Sequence, residues 1–330
     1  MNGIERGKKL RERVFAAYAA AQETRRPNSV RPGDIGKPCT RSLWYAFRWA
    51  DKLEKFEGRL LRLFETGHSQ EARLIADLRR VGATVIAADP LNSAKQIGVK
   101  TLGGHMNGFL DGISSNIPMA LAEWCVTECK THGEKSFKQL ESDGVAVSKP
   151  EHYAQMQIYM AEQKLEEGLY AAVNKNTDDL YFEFIAFDAH YHKRLMAKAD
   201  LVAFSPRPPE KINQKPEFFM CKFCKAKDTC HGGELPERNC RTCREAVPVK
   251  SSDSISGARW SCSLHKTDLS LDQQRAGCAD HRYNEGFVDG EMTEESEDAM
   301  GFKITYTMAK TGEVFDDRGP STPQAAPVFT

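Results

Sequence analysis

The chain has 330 residues, 40% of them hydrophobic, and its 46 lysine and arginine residues balance its 46 aspartate and glutamate residues. This length predicts one large domain with a smaller module, and the apolar content is sufficient for a buried core. No apolar run approaches the ~18 residues that span a membrane, and the zero net charge gives no argument for a nucleic-acid partner.

Charge is distributed unevenly along the chain. Residues 1–60 hold 14 Lys and Arg against 7 Asp and Glu, whereas residues 284–330 hold 3 against 10. The N-terminal segment lacks the apolar stretch of a signal peptide, so we expect a cytoplasmic protein without a membrane partner. In that compartment the ten cysteines are expected to be metal ligands before disulfides.

The first fifty residues are predicted to form a helix and then a loop that leads to a cysteine. Apolar residues recur at helical spacing over residues 4–24, and prolines and glycines at 27–38 interrupt the chain before Cys39. The following segment, residues 41–52, interleaves aromatic and basic side chains. Such a segment either stacks bases and holds phosphates or is a helix with buried rings, and both interpretations stay open.

A second helix is predicted over residues 64–82, because Thr66 is a helix-start residue and Gly82 ends the pattern. His68 then lies in the first turn. A histidine near a helix start, upstream of a carboxylate site, is expected to reach a metal ion, although a single histidine is more often a polar surface or core residue.

The stretch from residue 105 to 130 carries the residues best suited to catalysis. It is predicted to form two strands joined by a turn, with Asp111 late in the first and Glu128 and Lys130 at the end of the second. Side chains two apart share a face of a strand. Two carboxylates and a lysine suit a hard divalent cation and phosphodiester hydrolysis; a surface strand that ends in charges is the alternative. Facing the other way are Cys125, Thr127 and Cys129, and both cysteines are predicted to be buried.

The remaining elements complete a sheet with helices. In a helix over residues 150–166, Gln155 and Tyr159 are four apart and therefore neighbours; an ordinary amphipathic helix that packs on the sheet is the alternative. Another helix is expected at 190–203. Strands are predicted at 83–87, 98–102, 105–113, 119–130, 168–173 and 180–187.

Cysteines follow the predicted sheet in two groups. Cys221, Cys224 and Cys230 lie within one loop, where thiolates at such spacing bind a metal or a cluster, and Cys39 is available as a fourth ligand. A second group suits a tetrahedral zinc site. We favour Cys240, Cys243, Cys262 and Cys278 as its ligands, with His281 next and His265 as the sixth candidate. The competing partition joins Cys221 and Cys224 with Cys240 and Cys243 in one zinc ribbon.

Together these motifs resemble the RecB-type branch of the PD-(D/E)XK nucleases, specifically the iron–sulfur members that include the CRISPR-associated RecB-like exonucleases and the AddB helicase–nuclease subunit. The resemblance covers about residues 35–232. The matching elements are His68 for the upstream histidine, Asp111 in GFLDGI for the aspartate, Glu128 and Lys130 for E-x-K, Gln155 and Tyr159 for Q-x-x-x-Y, and Cys39 with Cys221, Cys224 and Cys230 for the cluster ligands.

The resemblance implies an α/β (α+β) PD-(D/E)XK core with a central mixed β-sheet flanked by helices. It implies Mg²⁺ or Mn²⁺ bound by His68, Asp111 and Glu128, with the carbonyl of Cys129 as a further ligand. Lys130 is then expected to position or activate the attacking water. Gln155 and Tyr159 are expected to hold substrate or orient the lysine, and a [4Fe–4S] cluster is expected to fasten the start of the chain to the far side of the nuclease.

We therefore predict a nuclease domain at residues 1–235, a Zn²⁺-binding module at 236–284, and an acidic linker and tail at 285–330 with a terminal hairpin. The predicted activity is metal-dependent exonuclease action on single-stranded or frayed DNA ends in recombination, repair or phage genome processing. The cysteine-rich appendage resembles proteins coded by bacteriophages, which implies the host cytoplasm. The alternatives are a non-catalytic nucleic-acid-binding or assembly protein, and a zinc module that docks recombination or replication proteins.

Overall fold

The structure is a computed structural model that describes residues 2–23, 26–53, 55–252 and 257–319. Its helices are α1 (Gly3–Ala20), α2 (Pro32–Ile35), α3 (Thr40–Phe47), α4 (Gly58–Arg80), α5 (Glu134–Ser148), α6 (Pro150–Gln163), α7 (Ala189–Phe204), α8 (Phe219–Lys222) and α9 (Leu271–Ala276). Its strands are β1 (Thr84–Ile86), β2 (Ile97–Thr101), β3 (Met106–Leu110), β4 (Gly112–Ser115), β5 (Trp124–His132), β6 (Glu167–Asn174), β7 (Leu180–Ala186), β8 (Ala246–Pro248), β9 (Trp260–Cys262), β10 (Thr267–Asp268), β11 (Gly290–Asp298), β12 (Gly301–Met308) and β13 (Val314–Arg318).

A five-stranded mixed sheet with the order β1-β4-β5-β6-β7 forms the centre of the molecule. The β5 and β6 strands are parallel and the other pairs are antiparallel. Every residue of β6 is buried, as expected for a strand covered on both faces. Helix α4 covers one face through Leu74 and Leu78, and α6 covers the other through Met156 and Met160. This arrangement confirms the predicted central mixed sheet flanked by helices.

Most of the predicted elements of the sheet and its helices are present, but two boundaries differ in ways that matter for the site. Helix α4 begins at Gly58, so His68 lies in the middle of the helix and the prediction that it lies in the first turn is wrong. A Cβ at Gly58 would lie 1.9 Å from the carbonyl oxygen of Phe15, so the close passage of α1 fixes this start. The strand predicted at 105–113 is broken at Asp111, which separates β3 from β4.

The acidic segment after residue 285 is folded, so the prediction of a linker is wrong there. Strand β11 pairs with β12, and β12 pairs with β13, in a three-stranded antiparallel sheet. Ile304 and Tyr306 of β12 are buried against Trp44 and Tyr45 of α3. Exposed acidic side chains of β11 thus lie on an edge strand whose neighbour supplies the apolar contacts. The β12–β13 pair is the hairpin that the sequence predicts.

The small sheet of β8, β9 and β10 packs into the main hydrophobic core. Trp260 and Leu269 belong to the same buried cluster as Phe47 and Met106. Arg241 also connects the small sheet to this core. Its side chain is 1% exposed, and its guanidinium lies 4.0 Å from the ring centroid of Trp49. Residues 236–284 therefore share one core with the preceding residues, and the predicted boundary at 236 does not coincide with a break in packing.

The aromatic and basic segment after Cys39 forms α3 and the turn that follows. Trp44, Tyr45, Phe47 and Trp49 are all buried, so the interpretation as a helix with buried rings is correct. Arg48 donates hydrogen bonds to the carbonyl oxygens of Val202 and Ser205 at the end of α7. None of the helices described is long and apolar enough to span a membrane.

Candidate active site and cysteine centres

Asp111 and Glu128 lie beside each other, Asp111 directly before β4 and Glu128 in the middle of β5. Asp111 lies at the junction of β3 and β4, and its Oδ2 accepts a hydrogen bond of 2.8 Å from the backbone N–H of Cys129. Glu128 is completely buried and forms an ion pair with the Nζ of Lys130, two residues along β5. The structure therefore brings together the two carboxylates and the lysine that the sequence selects.

Burial and neighbouring charge set the protonation of this group. Burial raises the pKa of Glu128 to about 7, and the negative charges of Asp111 and Glu71 add to the effect while Lys130 opposes it. Burial alone would lower the pKa of Lys130. The carboxylates of Glu128 and Asp111 outweigh that effect and hold the pKa of Lys130 above its usual value. The lysine is therefore a cation at neutral pH, suited to donating hydrogen bonds and not to accepting a proton.

Helix α4 contributes a carboxylate that sequence reasoning missed. Glu71 lies three residues after His68, so both residues lie on one side of the helix. Burial raises the pKa of Glu71, and the negative charge of Asp111 raises it further. His68 is exposed on the surface of the helix. Their i, i+3 spacing could have identified Glu71 once the helix was recognised.

Gln155 and Tyr159 lie on α6 at the same site. Nε2 of Gln155 donates a hydrogen bond of 3.3 Å to the hydroxyl of Tyr159, as their spacing predicts. Tyr159 is buried, which raises the pKa of its hydroxyl, and the charge of Glu128 raises it further. A Cβ on Gly108 would lie 2.7 Å from this hydroxyl. Glycine at that position lets β3 pass close to α6.

The donor atoms present suit a hard cation. Oε2 of Glu128 is buried and, within the described part of the chain, has no hydrogen-bond partner. A buried carboxylate oxygen without a partner costs free energy unless a cation satisfies it. Carboxylate oxygens are the ligands that Mg²⁺ and Mn²⁺ take. The carboxylates of Glu128 and Asp111 therefore have the chemistry that suits the divalent metal that the sequence predicts.

Beside this site lies a stack of two histidines and a tyrosine that sequence reasoning also missed. The Tyr170 hydroxyl lies 2.8 Å from Nε2 of His132 and 2.8 Å from Nδ1 of His152. Tyr170 is the partner of Glu128 in the β5–β6 register. Burial lowers the pKa of His132 to about 4 and that of His152 to about 3, so both rings are neutral at pH 7.

Cys39 lies close to the three later cysteines. Cys39, Cys221, Cys224 and Cys230 all border one cavity of about 500 Å³. After burial, the charges of Cys39 and Cys230 contribute most to raising the pKa of Cys221. The sulfur of Cys39 accepts a hydrogen bond from the backbone N–H of Ser42 at 3.4 Å. The competing ribbon partition, which leaves Cys39 and Cys230 without a role, does not match this grouping.

The second cysteine group has backbone donors aimed at its sulfurs. The sulfur of Cys262 accepts from the N–H of His265 at 3.5 Å. The three other thiols belong to Cys240, Cys243 and Cys278. Burial raises the pKa of each, and hydrogen bonds from backbone N–H groups lower it by a smaller amount.

His265 lies beside one of these thiols. Nε2 of His265 lies 3.9 Å from the sulfur of Cys278 and 3.4 Å from a carboxylate oxygen of Asp280, and these three donors lie within 4.8 Å of one another. Both ring nitrogens of His281 are instead engaged by Arg238 and Thr242. His265 is therefore the histidine placed beside Cys278, while the choice of His281 as the next ligand stays a prediction.

No protein-family model matches the chain, and no curated protein matches it. Among solved structures, the alkaline exonuclease LHK-Exo from Laribacter hongkongensis is 14% identical with a TM-score of 0.36, over 58% of this chain and 90% of that chain. SSO0001 is 17% identical with a TM-score of 0.36, over 65% and 93%. LHK-Exo in complex with dAMP is 13% identical with a TM-score of 0.34, over 58% and 90%. Likenesses this distant carry no argument about function.

Proposed function

We propose that the chain is a divalent-metal-dependent DNA nuclease of the PD-(D/E)XK type. The observation that supports this most is the buried Glu128, whose Oε2 has no described partner and whose other oxygen is paired with Lys130. Asp111, fixed to the same strand, supplies a second carboxylate beside it. An enzyme that cleaves phosphodiesters needs this combination of metal-binding oxygens and a fixed cation.

In this proposal Asp111, Glu128 and Glu71 hold the metal, with His68 and the carbonyl of Cys129 as further donors. A bound Mg²⁺ or Mn²⁺ supplies neutralisation of phosphate charge and a more acidic water. Lys130, protonated at neutral pH, donates hydrogen bonds to the phosphate or the incoming water. Gln155 and Tyr159 close the site from α6 and orient the substrate against the lysine.

We propose that Cys39, Cys221, Cys224 and Cys230 bind the [4Fe–4S] cluster of a RecB-like exonuclease. The proximity of a thiol before the nuclease core to three thiols after it supports this. A bound cluster fastens the N-terminal segment to the loop after α8, and such a crosslink over a long loop stabilises by roughly 5 kcal/mol. A protein purified without oxygen should be brown, and a colourless protein that contains only zinc would contradict the cluster.

We propose a separate Zn²⁺ site at Cys240, Cys243, Cys262 and Cys278, bordered by His265 and Asp280. The N–H donor to the sulfur of Cys262 and the nearness of His265 to Cys278 support it. A tetrahedral ion there would hold the turn that carries Arg241 into the core. We propose a structural role for this ion, because the site would join residues 236–284 to the preceding residues. Docking of recombination or replication proteins by the exposed surface of residues 236–284 is the alternative.

The decisive experiment measures Mn²⁺-dependent degradation of labelled single-stranded DNA by the wild type and by Lys130→Ala and Asp111→Ala. We expect each substitution to abolish cleavage without changing the circular dichroism spectrum. Lys138→Ala is the matched control, since Lys138 is an exposed lysine on α5 that pairs with Glu134. Equal cleavage by Lys130→Ala and the control would reject the site. Binding without cleavage by the wild type would favour the non-catalytic alternative.

A further inference from the structure

Three side chains from two strands and a helix share one hydroxyl group beside the candidate active site. The hydroxyl of Tyr170 on β6 lies 2.8 Å from Nε2 of His132 on β5 and 2.8 Å from Nδ1 of His152 on α6. Tyr170 is 0% exposed and His132 is 8% exposed. The two imidazole rings are stacked, with their centroids 5.9 Å apart. None of the three residues is among those proposed to bind the metal or the substrate.

The Tyr170 hydroxyl satisfies both imidazole rings. A hydroxyl has one proton, so it donates to a nitrogen of one ring and accepts from the N–H of the other. Burial lowers the pKa of both histidines, and each neutral ring can take either role. Nδ1 of His132, the nitrogen on the other side of that ring, lies 3.5 Å from Oγ of Ser136 on α5. Loss of the hydroxyl would leave two ring nitrogens without this partner, which is unfavourable in a protein interior.

The shared hydroxyl lies on the same face of the sheet as the active-site side chains. Tyr170 is the partner of Glu128 in the parallel β5–β6 register. His132 follows Lys130 by two residues, so these two side chains share a face of β5. Tyr170 belongs to the same buried cluster as Met156 of α6. This face is therefore the one that α6 covers.

His152 also lies on the active-site side of α6. It precedes Gln155 by three residues and Tyr159 by seven, so the three side chains lie along one side of the helix. Among the residues that the structure describes, the other side-chain hydrogen bonds between α6 and the sheet are those of Gln157 at the end of β7. Strand β7 lies on the far side of β6 from β5. The hydrogen bond of His152 is therefore the one that fixes α6 on the β5 side.

We propose that Tyr170 is a positioning residue for the reaction, which acts through the two histidines by holding α6 at a fixed distance from β5. This distance sets Gln155 and Tyr159 against Lys130, where they orient the substrate. A displacement of about 1 Å in groups of this kind costs up to roughly 100-fold in rate. The inference rests on the proposed nuclease function and extends it, because it assigns a role to residues that contact neither the metal nor the DNA.

The first measurement determines kcat and KM separately for Mn²⁺-dependent cleavage of labelled DNA by the full chain. Tyr170→Phe keeps the ring and removes only the hydroxyl, so we expect kcat to fall roughly 10- to 100-fold while KM changes little. Tyr283→Phe is the matched control, because it removes a buried hydroxyl that donates to the carbonyl oxygen of Pro236 at 2.8 Å, outside the central sheet. Equal kcat values for the two variants would overturn the proposal.

Substitutions of His152 separate the hydrogen bond from the packing of the ring. The side-chain amide of asparagine can occupy the position of Nδ1, so His152→Asn should retain most of the wild-type kcat. His152→Leu fills the space without a polar atom and should lose as much as Tyr170→Phe does. An equal loss in His152→Asn and His152→Leu would contradict a role for the hydrogen bond.

Hydrogen exchange distinguishes a failure of this inference from a failure of the proposed function. Tyr170→Phe should speed amide exchange in α6, since one of its links to the sheet is lost, and unchanged exchange in β12 verifies that the variant is folded. Unchanged exchange in α6 would overturn the positioning role even if the wild type cleaves DNA. A wild type that does not cleave, together with faster exchange in α6 of Tyr170→Phe, would reject the nuclease function and uphold the hold of Tyr170 on α6.

Discussion

The backbone N–H of Cys129 donates a hydrogen bond of 2.8 Å to Oδ2 of Asp111. This bond fixes the carboxylate at the β3–β4 junction to the strand that carries Glu128 and Lys130, and it leaves the other oxygen of Asp111 available for a ligand. The metal site proposed here is therefore assembled in part by the backbone. Because the donor is a backbone N–H, substitution of the side chain of Cys129 should change this bond little. Loss of the carboxylate of Asp111 removes the bond.

Metal affinity should rise with pH through neutrality. Burial raises the pKa of Glu128 to about 7, and the metal competes with the proton for this carboxylate. Below pH 7 each unit of pH costs up to about tenfold in affinity, so binding of Mn²⁺ at pH 6 should be roughly tenfold weaker than at pH 8. Isothermal titration calorimetry at both values measures this. Glu128→Gln should bind weakly at both, and an equally steep pH dependence in that variant would contradict the assignment.

Glu71 should also affect the pH dependence of Mn²⁺ binding. Its negative charge helps raise the pKa of Glu128, so Glu71→Gln should shift the pH midpoint of Mn²⁺ binding to lower pH. It should also weaken binding at pH 8, because a ligand is lost. Glu134→Gln, at an exposed carboxylate on α5, should leave both quantities unchanged. A midpoint that does not move in Glu71→Gln would place Glu71 outside the site.

The two cysteine groups should bind different metals independently. Cys221→Ser should lose iron and the absorbance near 400 nm while it keeps zinc, and Cys262→Ser should lose zinc while it keeps iron. Elemental analysis of anaerobically purified protein measures both metals in each variant. Cys125, which lies on β5 and belongs to neither group, provides the control, and Cys125→Ser should retain both metals. Loss of both metals from either single variant with unchanged folding would indicate one shared centre.

Asp317 should be a main stabilising contact of the C-terminal sheet. It is 0% exposed, and its carboxylate accepts hydrogen bonds from Arg238 at 2.8 Å and from the N–H of Tyr283 at 2.5 Å. Asp317→Ala leaves the half-buried guanidinium of Arg238 and the buried N–H of Tyr283 without their partner, so the free energy of unfolding should fall by about 1–3 kcal/mol. Urea denaturation measures the change. Asp298→Ala, which breaks an exposed ion pair with Arg318, should have little effect.

The sequence predicts the residues whose chemistry depends on local spacing. Strand alternation places Glu128 and Lys130 on one face, and helical periodicity pairs Gln155 with Tyr159, because both patterns act within one element. Glu71 escapes this reasoning, since its relation to Asp111 is between two elements and depends on how α4 packs against the sheet.

Long-range packing accounts for the other differences. Strand β11 has the composition of a disordered segment, yet it pairs with β12. Ile304 and Tyr306 of β12 pack against the aromatic rings of α3, and this contact holds the sheet in place. Tertiary contacts here override local preference. Arg241 lies between two cysteines, where a charged side chain is expected to be exposed to solvent. Its guanidinium instead donates hydrogen bonds to the carbonyl oxygens of Phe47 and Asn28. Such contacts join residues some two hundred positions apart and leave no local pattern.

The burial of α3 beneath the last strands has a consequence for synthesis. Trp44 and Tyr45 gain the part of their cover that Phe287, Ile304 and Tyr306 supply only when those residues have left the ribosome. Domains generally fold as units, starting from the N-terminus, but here α3 is completely packed only after the last strands are translated. A nascent chain therefore carries an uncovered aromatic face for most of its elongation, and chaperone capture at that face or delayed translation after residue 250 should determine how much active protein a cell recovers.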